Sequence, residues 1–481
     1  MKLTIENLGS IKQADLDIKP LTVLVGPNNT NKTWAAYSLY ALASLFAPPR
    51  QPVFFNRPRT VDYVTNAPLP SQIQKNIVTA AEKAANFVLQ NLPLQAAIPT
   101  ATPSPGSQQA SGPITQTIKR SEVIADITFP IQVSLDGTAI ATMLAIVPDY
   151  LPNAKATLEI SDTESQISPE TINLNVQRLP DSSFQLITEY RYAGLPIVVP
   201  YANRVPRSEN NSELLSSIAT SVRKLALSLL GNVLAFPAER VALVSLYSAL
   251  QIAAGPTPTG PVLSWPVADF TNWLQTASFY PPGAMTVQPL PLKDIAELLQ
   301  DNLLKGKTQF VGQALPKPLE YAMLGNNVPL RIHAASSLVK SLAALSIYVQ
   351  NAGSNDLLII DEPEMNAHPE AQLAITELLA ILVNKGVRIV ITTHSPYIVD
   401  HLKNLVEAAD VPSDKQDELA QKFILKTKES FLKPDKLAVY LFQDGEAKSI
   451  YDKEKRSIDW STFADQSDIV GNLYSDILAA R

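Results

Sequence analysis

LLIIDEPEMNAHP, residues 357–369, is the stretch whose reading decides the fold. Leu357, Leu358, Ile359 and Ile360 form a short apolar run that reads as a buried strand. The run meets two acids, Asp361 and Glu362, and Pro363 then stops the strand and turns the backbone. Acids at a strand end, where a phosphate loop can meet them, are how phosphoryl-transfer sites hold Mg²⁺ and position water. The plain alternative is a buried strand with a solvated acidic end, and the flanking sequence has to decide between the two.

Downstream, residues 370–383 repeat apolar positions at i, i+3 and i+4 and predict a helix. Residues 387–392 predict another buried strand, which ends at Thr393-His394-Ser395-Pro396. His394 therefore occupies the same kind of place as Glu362, at the C-terminal end of a strand beside a sheet neighbour. A histidine there can bond a γ-phosphate or hold an attacking water; on spacing alone it is equally a satisfied structural histidine. Upstream, residues 329–332 suggest a strand, and an apolar helix runs to Val349. Ser336 and Ser337 sit at its start, where a hydroxyl and free N–H groups either receive an anion or simply cap the helix.

A second signal lies near the N-terminus. Residues 21–25 are β-prone, GPNNTNKT follows at 26–33, and residues 34–46 read as a helix. This is strand–loop–helix with GxxxxNKT in place of GxxxxGKT. Gly26, Asn28, Asn29 and Asn31 belong to a loop whose backbone N–H groups would cradle phosphates. Lys32 would reach the β and γ phosphates and Thr33 would hold Mg²⁺. Asn31 stands where the pattern has glycine; if the position needs φ > 0, asparagine is the least costly substitute, and its side chain is expected near the phosphates.

Between these ends the chain is less regular. Residues 73–88 are amphipathic, 96–115 form a low-complexity linker, and alternation over 122–133, 157–160, 172–176, 183–190 and 197–199 predicts antiparallel strands. A helix is expected over 208–230 and a short strand over 233–236. Glu239-Arg240 follows that strand: either a structural ion pair, or an arginine turned toward nucleotide or a partner subunit. Residues 241–329 look like a helical insertion with a small hairpin near 305–323.

The chain has 481 residues, too many for one hydrophobic core, so two or three domains are expected. A net charge of −6 argues against a wholly basic nucleic-acid-coating surface. With no cysteine, disulfides and thiolate metal sites are excluded. No signal peptide or membrane span is read in the sequence, which makes the cytoplasm the expected location.

The four segments 26–33, 336–337, 357–369 and 392–396 together resemble the ABC-type ATPase head of the SMC and OLD-like AAA ATPases, above all bacterial proteins that carry such a head without long coiled-coil arms. The resemblance implies an α/β fold: a two-lobed ABC-type P-loop NTPase head with mixed sheets and a helical insertion between the lobes. It places an N-terminal ATPase lobe at 1–240, the insertion at 241–328 and a C-terminal lobe at 329–481. It implies ATP and Mg²⁺ as ligands, with 26–33 as Walker A and 357–362 as Walker B. By the same resemblance Asp361 and Thr33 support Mg²⁺, Glu362 is the catalytic base, His394 the switch histidine, and 366–369 the D-loop. Residues 335–340 resemble the ABC signature, with Leu338 where glycine is common. ATP would be sandwiched between two heads, a partner supplying Ser336 or Ser337, so a homodimer or higher homo-oligomer is implied. Since 428–477 leaves no room for a fused nuclease, the expected role is control of a separate effector, a nuclease or toxin, in defence against phage or foreign DNA. Binding of DNA stays open. The alternatives are an ATP-stabilised scaffold with little turnover, a DNA repair ATPase and, more remotely, a transporter ATPase.

Overall fold

The computed structural model describes residues 1–47, 71–91, 114–124, 130–161, 169–178, 184–192, 198–205, 215, 218–219, 221–222, 230–246, 263–280, 282–283, 285, 290–313, 317–325, 328–459, 473 and 477. The chain divides into two compact units. The first comprises Met1–Ala41, Leu135–Leu158 and Val233–Arg481; the second comprises Leu42–Ser134 and Glu159–Asn232. The described part of 241–328 lies in the first unit. The fold is mixed α/β.

In chain order the strands are β1 (Lys2–Leu8), β2 (Ile11–Asp17), β3 (Leu21–Val25), β4 (Ile114–Lys119), β5 (Ile131–Asp136), β6 (Lys155–Ile160), β7 (Pro169–Arg178), β8 (Phe184–Tyr192) and β9 (Val198–Val205). They continue with β10 (Val233–Phe236), β11 (Gly306–Phe310), β12 (Leu319–Met323), β13 (Leu330–Arg331), β14 (Leu357–Asp361), β15 (Arg388–Thr393), β16 (Leu437–Gln443) and β17 (Glu446–Ser449).

A ten-stranded sheet runs in the order β10-β14-β15-β3-β16-β17-β2-β1-β6-β5. Its first five strands are mutually parallel. Parallel strands are covered on both faces, which is why β3 and β14 are buried at all five positions instead of alternating. The cover comes from helices Ser337–Val349, Pro369–Asn384 and Pro396–Ala408, whose apolar faces join one core with these strands. In the second of these, Ile375, Leu378, Leu379 and Leu382 recur at helical spacing and are all within 1% of full burial. Each such leucine is worth roughly 1.5–3 kcal/mol of transfer free energy. Pro369 and Pro396 stand in the first turns of their helices, where a missing N–H costs nothing.

At the β10 edge an aromatic cluster sets the packing. Phe236 meets Phe270 edge-on at 5.3 Å and Tyr348 at 6.1 Å between ring centroids, and Trp273 lies 5.2 Å away. These contacts dock the helix Trp265–Phe279 on β10. In the middle of the sheet, β16 and β17 are joined through Asp444 and Gly445, both at positive φ, as a two-residue hairpin turn requires. The hairpin expected near 305–323 is β11–β12, whereas the strand expected over 329–332 is only the two residues of β13, with the tight turn Ile332–Ala334 after it.

The second unit contains an antiparallel sheet in the order β4-β7-β8-β9. Ile172, Leu174 and Val176 of β7 are buried at alternate positions, the period of a strand, and Asn173 between them is buried as well. Helix Ser71–Asn91 buries Ile77, Ala81, Ala84 and Ala85, one stripe of an amphipathic helix. The strand expected over 122–133 is corrected: Arg120–Ile124 is a short helix, and strand begins at Ile131. Within that helix Val123 is fully buried while Ser121 and Glu122 are exposed, so one turn suffices to seat its apolar residue. Residues 96–113 of the expected 96–115 linker and most of the 208–230 helix lie outside the described residues, while 114–115 belong to β4.

No helix among the described residues is long and apolar enough to cross a membrane.

Candidate functional site

Strand register brings the separated motifs together. In the parallel ladder Asp361 pairs with Thr392, Thr392 with Leu24, and Thr393 with Val25. The chain therefore leaves β14 at Glu362, β15 at His394 and β3 at Gly26 along one edge of the sheet, with β15 between the other two. On the flanks Phe236 of β10 pairs with Ile360, and Leu441 of β16 with Val25.

The loop after β3 begins at Gly26, with φ of 144°. A Cβ there would stand 2.3 Å from the carbonyl oxygen of Phe442, so the neighbouring strand makes glycine obligatory. Asn29 and Asn31 have φ of 62° and 59°. Asparagine tolerates that left-handed conformation, which accounts for a loop whose later turns are not glycine. Asn28 is exposed. The side chain of Asn31 points to the β1–β2 turn: its Oδ1 accepts from Ser10 N at 2.8 Å and lies 2.6 Å from Ser10 Oγ. The expectation that it would sit near the phosphates is thereby corrected; the tether to Ser10 claims the amide instead. Gly9 answers it, since a Cβ on Gly9 would lie 2.8 Å from Asn31 Oδ1.

Lys32 opens the helix Lys32–Ser44 and is 5% exposed. Its ammonium donates to the carbonyls of Gly26 at 2.9 Å and Pro27 at 2.8 Å, and to Thr30 Oγ1 at 3.3 Å. Burial pulls its pKa down to about 8, against the opposing pull of Glu362, Asp361 and Glu364. Thr33, next in the helix, donates to Asp361 at 2.9 Å to Oδ1 and 3.2 Å to Oδ2. Asp361 is 4% exposed and also accepts from Thr392 Oγ1. Burial raises its pKa, and the two threonine hydroxyls hold it down.

Glu362 departs from the strand with φ of 48°, a left-handed backbone for a residue that has a Cβ. Its N–H donates to the carbonyl of Thr392 at 3.1 Å. Its Oε1 lies 3.7 Å from His394 Nε2, and both side chains are about one third exposed. Burial, with Lys32 nearby, lowers the pKa of His394, while Asp361 and a hydrogen bond with the backbone of Gly26 work the other way. The histidine is thus a neutral imidazole at pH 7, spanning the β3 loop and the acid after β14.

Arg240 is 2% exposed at the start of the helix Arg240–Ser245. Its Nη1 donates to the carbonyls of Asp361 at 2.6 Å and Pro237 at 3.1 Å, and its Nη2 to the carbonyl of Glu362 at 2.7 Å. Its guanidinium thus grips the backbone beneath the acids. Ser336 and Ser337 are exposed; Ser336 Oγ caps its helix by accepting from Val339 N at 3.3 Å. Among the described residues no hydrogen bond joins either serine to the phosphate loop or to Asp361.

Other residues complete the site without having been singled out by sequence. Glu364 Oε1 accepts from Thr393 Oγ1 at 2.7 Å and from His394 N at 2.9 Å, while its Oε2 is buried with no hydrogen-bond partner among the described residues. Burial raises its pKa. Gln372 bonds Ser395 Oγ and donates to the carbonyl of Ala367 at 2.9 Å, which ties 366–369 to the His394 turn. The available signal was Thr392-Thr393, two polar residues closing an apolar strand as Asp361-Glu362 close theirs.

The donor set fits Mg²⁺. Thr33 Oγ1 and the Asp361 carboxylate are hard oxygen donors already within 3.2 Å of each other. Among the described residues no group of three or more His, Cys, Asp or Glu could hold a metal on its own. Mg²⁺ accepts such a partial set, because it takes one or two protein oxygens and completes its shell with phosphates and water.

Comparison with known proteins yields local sequence matches and distant structural ones. Residues 287–399 match the family described as AAA ATPase domain. That segment carries Ser336, Ser337, Asp361, Glu362, Glu364 and His394. Over 71 residues the chain is 37% identical to the Old nuclease of Escherichia phage P2; the match covers 15% of this chain and 12% of the length of that protein. Three solved SMC structures are similar at 10% identity. An SMC head bound to the C-terminal winged-helix domain of ScpA has a TM-score of 0.33, with 93% of this chain and 96% of that chain covered. A Pyrococcus furiosus SMC head with an extended coiled coil, bound to the C-terminal domain of ScpA, gives 0.34, with 93% and 95% covered. The SMC head domain of Thermotoga maritima gives 0.30, with 93% and 97% covered. The sequence matches relate the chain distantly to AAA-type ATPases.

Proposed function

We propose that this chain binds ATP with Mg²⁺ and hydrolyses it in the manner of an SMC/OLD-like head. The observation that carries the reading is the convergence at one sheet edge of a buried lysine, a Thr33–Asp361 oxygen pair and an acid–histidine pair, delivered by three adjacent parallel strands. Phosphoryl transfer needs those functions and little covalent chemistry from the protein.

In this reading Gly26, Asn28, Asn29 and Asn31 shape the loop that receives the phosphates through its N–H groups. Lys32 exchanges its carbonyl partners for phosphate oxygens. Thr33 and Asp361 hold Mg²⁺, which when bound neutralises charge on the phosphates. Glu362 takes the proton of the attacking water. His394, neutral and 3.7 Å from Glu362, fixes the orientation of that water. Ser336 and Ser337 are exposed at a helix N-terminus, available to the phosphates of ATP held by a second copy of the chain. A homodimer or higher homo-oligomer with composite sites follows. Arg240 serves the site from beneath, through the backbone.

The biological role proposed for this ATPase is control of a separate effector, a nuclease or toxin, in defence against phage or foreign DNA; the 71-residue likeness to a protein named a nuclease supports that direction. The second reading, an ATP-stabilised scaffold with slow turnover, is favoured by the Asn31–Ser10 tether and by a Lys32 ammonium already bonded within its own loop. One experiment separates them: ATP turnover and assembly mass of wild type and Glu362→Gln, with and without DNA. The enzyme reading expects the variant to retain ATP in a closed oligomer with turnover lost. The scaffold reading expects identical assembly in both. If neither protein binds nucleotide, both readings fall.

A further inference from the structure

Glu362 is held in a conformation that its sequence neighbours and its secondary structure both oppose. β14 ends one residue earlier, and continued strand is the ordinary course for the chain. The residue before a proline is pushed away from the right-handed helical region and toward extended backbone. Glu362 adopts neither, with φ of 48°. Two backbone bonds share in fixing it, Met365 N to the Glu362 carbonyl at 3.1 Å and Glu362 N to the Thr392 carbonyl at 3.1 Å, and a third group grips both flanking peptides.

We infer that Arg240 is the positioning residue that sets the backbone of Glu362 and so aims its carboxylate. The warrant is geometric, and it rests on the reading of Glu362 as the base. One planar guanidinium donates to two consecutive carbonyls, Asp361 at 2.6 Å and Glu362 at 2.7 Å. Those two peptide planes flank the Cα of Glu362. In extended backbone successive carbonyls point to opposite sides of the chain; in helical backbone of either hand they point the same way. A rigid fork gripping both excludes the extended form. Pro363 disfavours the right-handed form. The left-handed form remains, and it is the one found. It turns the Glu362 side chain out of line with β14, to 3.7 Å from His394.

Arg240 is itself fixed. It follows β10, which pairs with β14 so that Phe236 lies beside Ile360, and its Nη1 also bonds the carbonyl of Pro237. The 237–240 segment thereby reads the end of the neighbouring strand. Among the described residues its guanidinium bonds backbone carbonyls and no side-chain oxygen. The arginine acts on direction, not on charge at the phosphates.

The test uses Arg240→Lys, Arg240→Gln, Pro363→Ala, Glu362→Gln and the double variant Arg240→Lys/Glu362→Gln in the full chain. Equilibrium ATP binding and steady-state turnover are measured on each, with circular dichroism to check the fold. Lysine keeps the charge but cannot bridge two carbonyls as a fork. Arg240→Lys and Arg240→Gln are expected to lower kcat about 100-fold, the cost of a misplaced catalytic group, with ATP affinity unchanged. Pro363→Ala readmits the right-handed form and is expected to lose about tenfold in kcat; it reports on the conformational argument even where the arginine variants do not fold. The double variant is expected to be no slower than Glu362→Gln, since both changes remove one function. Full-rate turnover in Arg240→Lys or Pro363→Ala, or losses that multiply in the double variant, overturn the inference. A parallel loss of ATP affinity does so too, because it assigns Arg240 to nucleotide. If wild type shows no turnover at all, the ATPase reading fails and takes the clamp's catalytic role with it, a result distinct from each of these.

Discussion

At pH 8.5 the binding of ATP should draw protons from solution, and Lys32 should be their destination. Burial holds the Lys32 ammonium at a pKa of about 8 in the nucleotide-free protein. At pH 8.5 roughly three quarters of the lysine is then neutral. A γ-phosphate placed at Nζ restores the ordinary charged state, so binding takes up about 0.7 proton per site at that pH and almost none at pH 6.5, where the lysine is already charged. Burial depresses the pKa of His394 and raises those of Asp361, Glu364 and Tyr37.

The assay is isothermal calorimetry of ATP binding in buffers of different ionisation enthalpy, in which the slope of observed heat against buffer enthalpy counts protons. Linkage supplies a second readout without nucleotide. Between about pH 8 and 10.5 the unfolded chain binds the proton that the folded chain has lost, so stability rises with pH across that window and is flat below it. The displacement taken whole is worth about 3 kcal/mol. Solvent screening of the ammonium lowers this figure and the proton uptake together, since both measure the same pKa displacement. Lys32→Met should lack the rise. A zero slope at pH 8.5 would refute the reasoning: the carbonyls of Gly26 and Pro27 would then be shown to solvate the ammonium as well as water does.

Three further outcomes follow from single contacts. Glu362→Gln should keep ATP affinity and lose about 10²–10⁴ in kcat, as removal of a general base does, measured by single-turnover hydrolysis. Asn31→Gly removes the acceptor for Ser10 N and Ser10 Oγ and should cost about 1 kcal/mol by chemical denaturation, with Ser10→Ala adding little on top because the same contact is already gone. Glu377→Gln replaces a fully buried carboxylate that accepts from the backbone N–H of Ile424 at 3.0 Å and Leu425 at 2.7 Å and bonds His401 at 2.9 Å; it should destabilise the protein by about 2–3 kcal/mol and speed hydrogen exchange at 424–425.

Much of this was legible in the chain because the parallel core follows local rules. Continuous apolar runs named β3, β14 and β15, and the residues that end them carry the chemistry, since in such a sheet the loops leave at the strands' C-terminal ends. The strand order was not legible. That β15 stands between β3 and β14 is a fact of register, with Thr392 facing both Asp361 and Leu24, and no spacing along the chain encodes it. The same applies to Glu364. In sequence it is one more acid after a proline. Only the pairing of β14 with β15 puts it within 2.9 Å of the His394 amide.

The asparagines of the phosphate loop show why a departure from a motif has to be read through φ. Asn29 and Asn31 meet the conformational demand of glycine, at 62° and 59°, so the loop's path survives the substitution. The side chain that glycine lacks then needs a place. For Asn31 that place is Ser10, on a turn that itself requires glycine at position 9 because a Cβ there would collide with the amide. Two positions 22 residues apart are thereby coupled: a non-glycine in the loop is matched by a glycine in the hairpin. Exchanging one without the other leaves either an untethered loop or a clash. The residue that weakens the motif as a pattern is therefore accommodated by its surroundings, and it carries no penalty against the loop's capacity to cradle phosphate through its backbone.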